Sequence, residues 1–148
     1  RRRHSFPTRR SSDLQKQSAR TFSFEFFPPK TPAGEEKLRA TVAAFYSRVK
    51  TDPLIGKMYP ADDWAGSEKR LADFLVYRFG GPQTYLQERG HPRLRMRHMP
   101  FSIGVLERDQ WLACMNQAMT ELNIDPVLRE RLNASFFKTA DWMRNRGA

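Results

Sequence analysis

Cysteine is almost missing from this chain. Cys114 stands alone, so no intramolecular disulfide can form, and a structural zinc or an iron–sulfur cluster would lack thiolates. A reducing cytoplasm is the compartment this favours. Long hydrophobic runs are missing too: none approaches the roughly 20 apolar residues that cross a bilayer, and the mean hydropathy of −0.71 agrees. The expectation is a soluble chain with no membrane partner. At 148 residues one domain with a real core fits, and two ordinary ones do not. The net charge of +10 invites a nucleic-acid reading until it is located. Residues 1–20 hold seven Arg and Lys against the single acid Asp13, which accounts for +6 of it. The remaining +4 is ordinary for a solvated surface, so no nucleic-acid partner is expected.

Three segments differ in character. Residues 1–14, RRRHSFPTRRSSDL, have no apolar periodicity and cannot offset the entropy of ordering, so residues 1–21 read as a disordered tail. The string resembles a translated sequencing adapter, which implies no biological role. In residues 22–38, FSFEFFPPKTPAGEEKL, Phe22, Phe24 and Phe26 alternate with Ser23 and Glu25, which is strand periodicity ended by Pro28-Pro29. This stretch resembles the first strand of methylenetetrahydrofolate reductases. That resemblance implies an acid role for Glu25 beside a flavin and a folate. A (β/α)₈ barrel takes about 250 residues, so residues 22–40 are expected to be a reductase-like fragment without a fold of its own.

From about Val42 the pattern is helical, and the fold class expected for residues 41–148 is all-α. Val42, Phe45, Tyr46 and Val49 fall on one helix face. Asp52-Pro53 reads as a cap and first position of a short helix running to Tyr59-Pro60. Leu71, Phe74, Leu75 and Phe79 repeat next, and Gly80-Gly81-Pro82 stops that helix. The stretch Tyr85–Arg97 reads as a partly irregular connection ending in a short helix that carries His98. Trp111, Met115, Ala118, Met119 and Leu122 form a further stripe. Asp125-Pro126 caps a last helix with Leu128, Leu132, Phe136, Thr139 and Met143 on one face.

The chemistry-bearing residues converge on a haem pocket. A neutral imidazole is a usual axial donor to haem iron, and its second ring nitrogen needs an acceptor that fixes its orientation. His98 near a helix end can find one; His4 lies in the tail and His91 in a Gly- and Pro-bounded loop. Tyr46, Tyr59 and Trp111 supply O–H and N–H donors, while Leu71 and Phe74 supply an apolar wall. Two propionates would need cationic or hydroxyl partners, for which Arg70, Tyr85 and Arg95 are candidates.

The blocks FYSRV, MYP, FGGPQTYLQERGHPRLRMRHMPF, ERDQWLACMNQA and FFKTADWMRNR resemble group II truncated haemoglobins over roughly Val42 to Gly147. The resemblance implies a two-over-two helical sandwich around one b-type haem. His98 would be the proximal iron ligand, and Tyr46, Tyr59 and Trp111 the polar distal residues. Ser67 would be the small residue where other globins place a distal histidine, and Leu71 and Phe74 the apolar distal wall. Such proteins begin with a short helix and a glycine-containing turn, a place the reductase-like segment takes here.

Donors aimed at dioxygen slow its escape, so tight O2 binding at ferrous iron, with NO dioxygenase-like or peroxidase-like redox chemistry, is the leading expectation. The alternative is a fragment of a flavin-dependent methylenetetrahydrofolate reductase. The expected partners are O2, other diatomic ligands and an unknown reductase, and the expected state is a monomer or weak homodimer.

Overall fold

The computed structural model describes residues 30–147. Its elements are α1 (Pro32–Val49), a 3-10 turn (Gly56–Met58), α2 (Trp64–Arg78), α3 (Thr84–Arg89), α4 (Leu94–His98), α5 (Val105–Glu121) and α6 (Pro126–Trp142). No strand occurs among the described residues, and the class is all-α as expected. The alternating segment Phe22–Phe26, with Glu25, lies outside the described residues, as does the adapter-like string.

The four long helices form two adjoining pairs. α1 packs on α2 and on α5, and α5 packs on α6. The stripe Val42, Phe45, Val49 of α1 and Met115, Ala118, Met119 of α5 is almost wholly buried in one common core. Each large side chain among them contributes roughly 1.5–3 kcal/mol through burial. Leu132 and Phe136 of α6 close the other side of that core.

Local chemistry sets the helix ends. The Thr31 side chain accepts from Gly34 N–H with Pro32 at the first position, and Asp63 does the same for Gly66. Asp125 accepts from Val127 and Leu128 N–H ahead of α6, as its Asp-Pro pair predicts. After α2, Gly80 takes φ +93°. Gly81 N–H then reaches back to Val76 O at 2.8 Å and Gly80 N–H to Tyr77 O at 3.1 Å, the paired bonds that end a helix on glycine.

Two differences from expectation have physical causes. α1 begins at Pro32, ten residues before the stripe at Val42, and buries Leu38 and Thr41; the residue 40/41 boundary therefore falls inside a continuous helix. The expected helix after Asp52 is a turn instead. The Asp52 carboxylate accepts from Leu54 and Ile55 N–H, both at 2.9 Å. Tyr59 is held extended at φ −102°, ψ 147° because it precedes Pro60.

An ionic chain ties the first three helices. Asp73, buried in α2, accepts from Arg39 of α1 and Lys69, both at 2.7 Å, while Lys69 also reaches Glu88 of α3 at 2.9 Å. Burial alone would raise the Asp73 pKa, but the bonds from Lys69 and Arg39 outweigh it and hold the carboxyl below the usual range. α3 and α4 are short and joined through Gly90, whose φ +75°, ψ −155° is a conformation essentially reserved for glycine.

Candidate functional site

A cavity of about 540 Å³ lies between α2, the α3–α4 segment, α5 and α6, within the range of cofactor pockets. The structure brings Tyr46, Tyr59, Ser67, Leu71 and Phe74 to it from one side. His98 and Tyr85 come from α4 and α3, and Trp111 from α5.

His98 is positioned by its own helix and by the end of the described chain. Its Nδ1 lies 2.7 Å from Leu94 O. A carbonyl can only accept, so Nδ1 carries the proton and Nε2 is left with a free lone pair, the state an iron ligand requires. Asn145 Nδ2 donates to the carbonyls of His98 at 3.3 Å and Phe101 at 2.7 Å, which steadies the segment from outside. His91, by contrast, is exposed, and its Nδ1 accepts from Arg93 N–H at 3.0 Å. Among the described residues no cluster of three or more His, Cys, Asp or Glu could hold a bare metal ion. A lone imidazole suits a metal that would arrive with its own ring of ligands.

An aromatic cluster borders the same cavity through Tyr46 and Tyr59. Tyr46 is edge-on to Tyr59 at 5.5 Å, and Trp64 stacks on Tyr59 at 5.7 Å. Burial pushes the Tyr59 phenol up to about 12, against the opposing effect of hydrogen bonds with Trp111 and Tyr46. Burial also raises the Tyr46 phenol, and its interactions with Tyr59 add to that. An indole N–H can only donate, so the Tyr59 oxygen accepts from Trp111, and the two phenols share a further bond in which either hydroxyl can donate.

The remaining wall is apolar, with Leu71, Phe74, Phe136 and Met143. Guanidinium groups of Arg70, Arg78, Arg89 and Arg97 also line the cavity. Arg70 is partly engaged, with Asp63 at 3.2 Å and the buried Ser67 hydroxyl at 3.3 Å. Arg95 is the exception among the expected cofactor contacts. It does not line the cavity; its Nη1 donates to Trp142 O at 2.6 Å and its guanidinium lies 5.1 Å from the Trp142 ring centre. A five-residue helix carries too little periodicity to say which of two alternate arginines faces inward, and Arg97 does.

Sequence reading also missed Trp64, Arg78 and Arg89. Trp64 opens α2 directly after its cap, outside the apolar stripe, so periodicity gave no sign of it. A solitary imidazole with a free Nε2, sharing a largely apolar cavity with two phenols, an indole and several arginines, fits a haem-holding pocket in a helical fold. The residues present fit that cofactor: a carbonyl-anchored axial donor, apolar faces for the ring and guanidinium groups for its carboxylates.

Comparison with known proteins agrees. The chain matches the bacterial-like globin family over residues 33–145. It is 39% identical over 120 residues to the group 2 truncated hemoglobin YjbI of Bacillus subtilis (strain 168), covering 81% of this chain and 90% of that protein. The solved hemoglobin of the thermophilic phototrophic bacterium Chloroflexus aurantiacus superposes with a TM-score of 0.72 at 43% identity, covering 76% and 93% of the two chains. The truncated oxygen-avid haemoglobin of Bacillus subtilis gives a TM-score of 0.72 at 39% identity, covering 76% and 94%. The chain belongs to the bacterial-like globins, and among them to the group 2 truncated haemoglobins, whose cofactor is haem. Nothing among the described residues supports the reductase alternative.

Proposed function

We propose that the chain retains dioxygen tightly, with His98 as the axial ligand and Tyr46, Tyr59 and Trp111 as the polar side of the cavity. Haem, when bound, would supply a redox-active iron that takes diatomic gases. His98 would hold it through Nε2, which stays free because Nδ1–H is committed to Leu94 O. Leu71 and Phe74 exclude water, which would compete for the donors. Arg70, Arg97 and Tyr85 line the cavity and would hold the propionates; Ser67 would leave distal space beside them.

The observation that carries this reading is that Tyr46, Tyr59 and Trp111 line the same cavity as His98. An O–H or N–H among them would donate to a partly negative diatomic ligand held there. A bond of that kind contributes about 1.5–3 kcal/mol, or roughly tenfold to a hundredfold in retention at 1.4 kcal/mol per decade. Strong retention suits redox chemistry with NO or peroxide better than oxygen delivery. A related chain's description as oxygen-avid supports the same direction. We take the globin unit to include α1, and we place the protein in a reducing cytoplasm, as a monomer or weak homodimer. Cys114, whose thiol burial pushes up, takes no chemical part.

The test is a pair of variants. His98→Ala should abolish ordinary haem retention while helix content persists, and His91→Ala should leave the Soret band intact. The reverse pattern would overturn the ligand assignment.

A further inference from the structure

Five of the seven exposed large hydrophobic side chains among the described residues lie in two neighbouring segments. Met96, Met99 and Phe101 flank His98 in sequence, and Phe137 and Trp142 stand at the end of α6. The two segments are bonded together. Arg95 donates to Trp142 O at 2.6 Å, Asn145 to Phe101 O at 2.7 Å, and Arg146 Nε to Ser102 Oγ at 3.0 Å. Apart from Arg97, which lines the cavity, they carry five cations, at 93, 95, 138, 144 and 146, against the single acid Asp141. That acid is already engaged by Arg108 and Arg144, both at 2.8 Å. The result is an apolar patch with a cationic rim directly outside the histidine that holds the cofactor.

We propose that this face docks an acidic one-electron carrier protein that reduces the haem from the His98 side. The inference rests on the haem reading above. Exposed Met and Trp beside unneutralised arginine are the composition of a protein-docking surface rather than of ordinary solvated surface. Charge selects the occupant. A second copy of this chain would bring cations against cations, and so would the Arg-rich residues 1–20. The methionines suit packing against a protein side chain and add nothing to phosphate contacts. His98 lies on the docked segment itself, so the electron's path from the partner is short and bonded. In the transfer one electron leaves the carrier, which is oxidised by one, and ferric iron becomes ferrous; no covalent bond forms or breaks.

The experiment uses the haem-loaded full chain and a reduced bacterial flavodoxin as the acidic carrier. Binding is read by biolayer interferometry on immobilised flavodoxin, and reduction by stopped-flow in the absence of oxygen. The expected result is association and reduction that both weaken steeply with salt. The double variant Arg93→Glu, Lys138→Glu should slow reduction by flavodoxin about tenfold or more. Its reduction by dithionite and its Soret band should stay unchanged. Equal rates for both proteins, or rates flat with salt, would overturn the proposal. So would binding to phosphatidylserine vesicles, lost in the variant, with none to flavodoxin. A missing Soret band before any partner is added would sink the haem reading, whereas a haem-loaded chain that ignores flavodoxin sinks the docking alone.

Discussion

Replacing Tyr59 by Phe removes one oxygen that interacts with both Tyr46 and Trp111 and that, on the proposed reading, also donates to dioxygen. Loss of the donor alone would cost about 1.5–3 kcal/mol of ligand retention, a tenfold to hundredfold faster escape of dioxygen. The same change takes a hydrogen-bond partner from the buried Tyr46 hydroxyl and the acceptor from the Trp111 indole. A buried donor without a partner costs about 1–3 kcal/mol, so each of these groups gains by turning to the dioxygen in the cavity. One redirected donor recovers most of the loss, and the net acceleration in Tyr59→Phe should stay below about tenfold. Removing Tyr46 as well takes both phenols away, and Tyr46→Phe/Tyr59→Phe should exceed the product of the single effects. Displacement of O2 by carbon monoxide in a stopped-flow instrument reads these rates, and carbon monoxide escape, with less charge on its outer atom, should change little. The phenol's folded value near 12 lies above the unfolded value of about 10, so the neutral donor persists through the alkaline range. The wild-type rate should therefore be flat from about pH 6 to 10. A Tyr59→Phe rate a hundredfold above wild type, or a double variant equal to the product of the singles, would refute the shared-oxygen argument.

Two further outcomes concern the scaffold. Asp73→Asn should lower Tm at pH 7 by a few degrees, since Asp73 is buried but its partner Arg39 is about one-third exposed and the bond is worth about 1 kcal/mol after solvent screening. The Asp73 carboxyl sits below its unfolded value, so its stabilisation is present above about pH 3.9 and fades as the pH falls through the lower folded value; thermal melts should show the Tm gap closing toward pH 3, and a constant gap would contradict the ion pairing. Gly90→Ala should cost about 1–3 kcal/mol in urea unfolding even though nothing lies within 4 Å of the added methyl; a neutral effect would show that the φ +75° backbone is not required.

Where a side chain's job is local, the sequence carried it. Val42, Phe45 and Val49 at helical spacing, Asp125-Pro126 before α6 and Gly80-Gly81 after α2 could all be read from their neighbours, because caps and apolar faces are decided within one or two turns. His98 stood out through the spacing and company of its donors. What escaped depended on residues far apart in the chain. Asp73 looks like a solvated acid inside an apolar stripe until Arg39, 34 positions away, is seen to reach it. Asp52 reads as a helix cap, yet Pro60 allows the chain only a turn before Tyr59 must extend. Arg95 and Arg97 are equivalent in sequence, and only Trp142, 47 positions from Arg95, separates their fates.

The tie between Asn145 and the carbonyls of His98 and Phe101 has a consequence for how the protein is made. A five-residue helix such as α4 is far too short to stand by itself, so the placement of the imidazole is borrowed from residues 142–146. During synthesis the chain emerges from its N-terminal side first. The distal phenols and the α1–α2 pairing can therefore form while the proximal segment still lacks its brace. Cofactor capture is then expected to be a late event, after Asn145, three residues beyond the end of α6, has left the ribosome, and a nascent chain stalled before it should hold haem less firmly than the finished one.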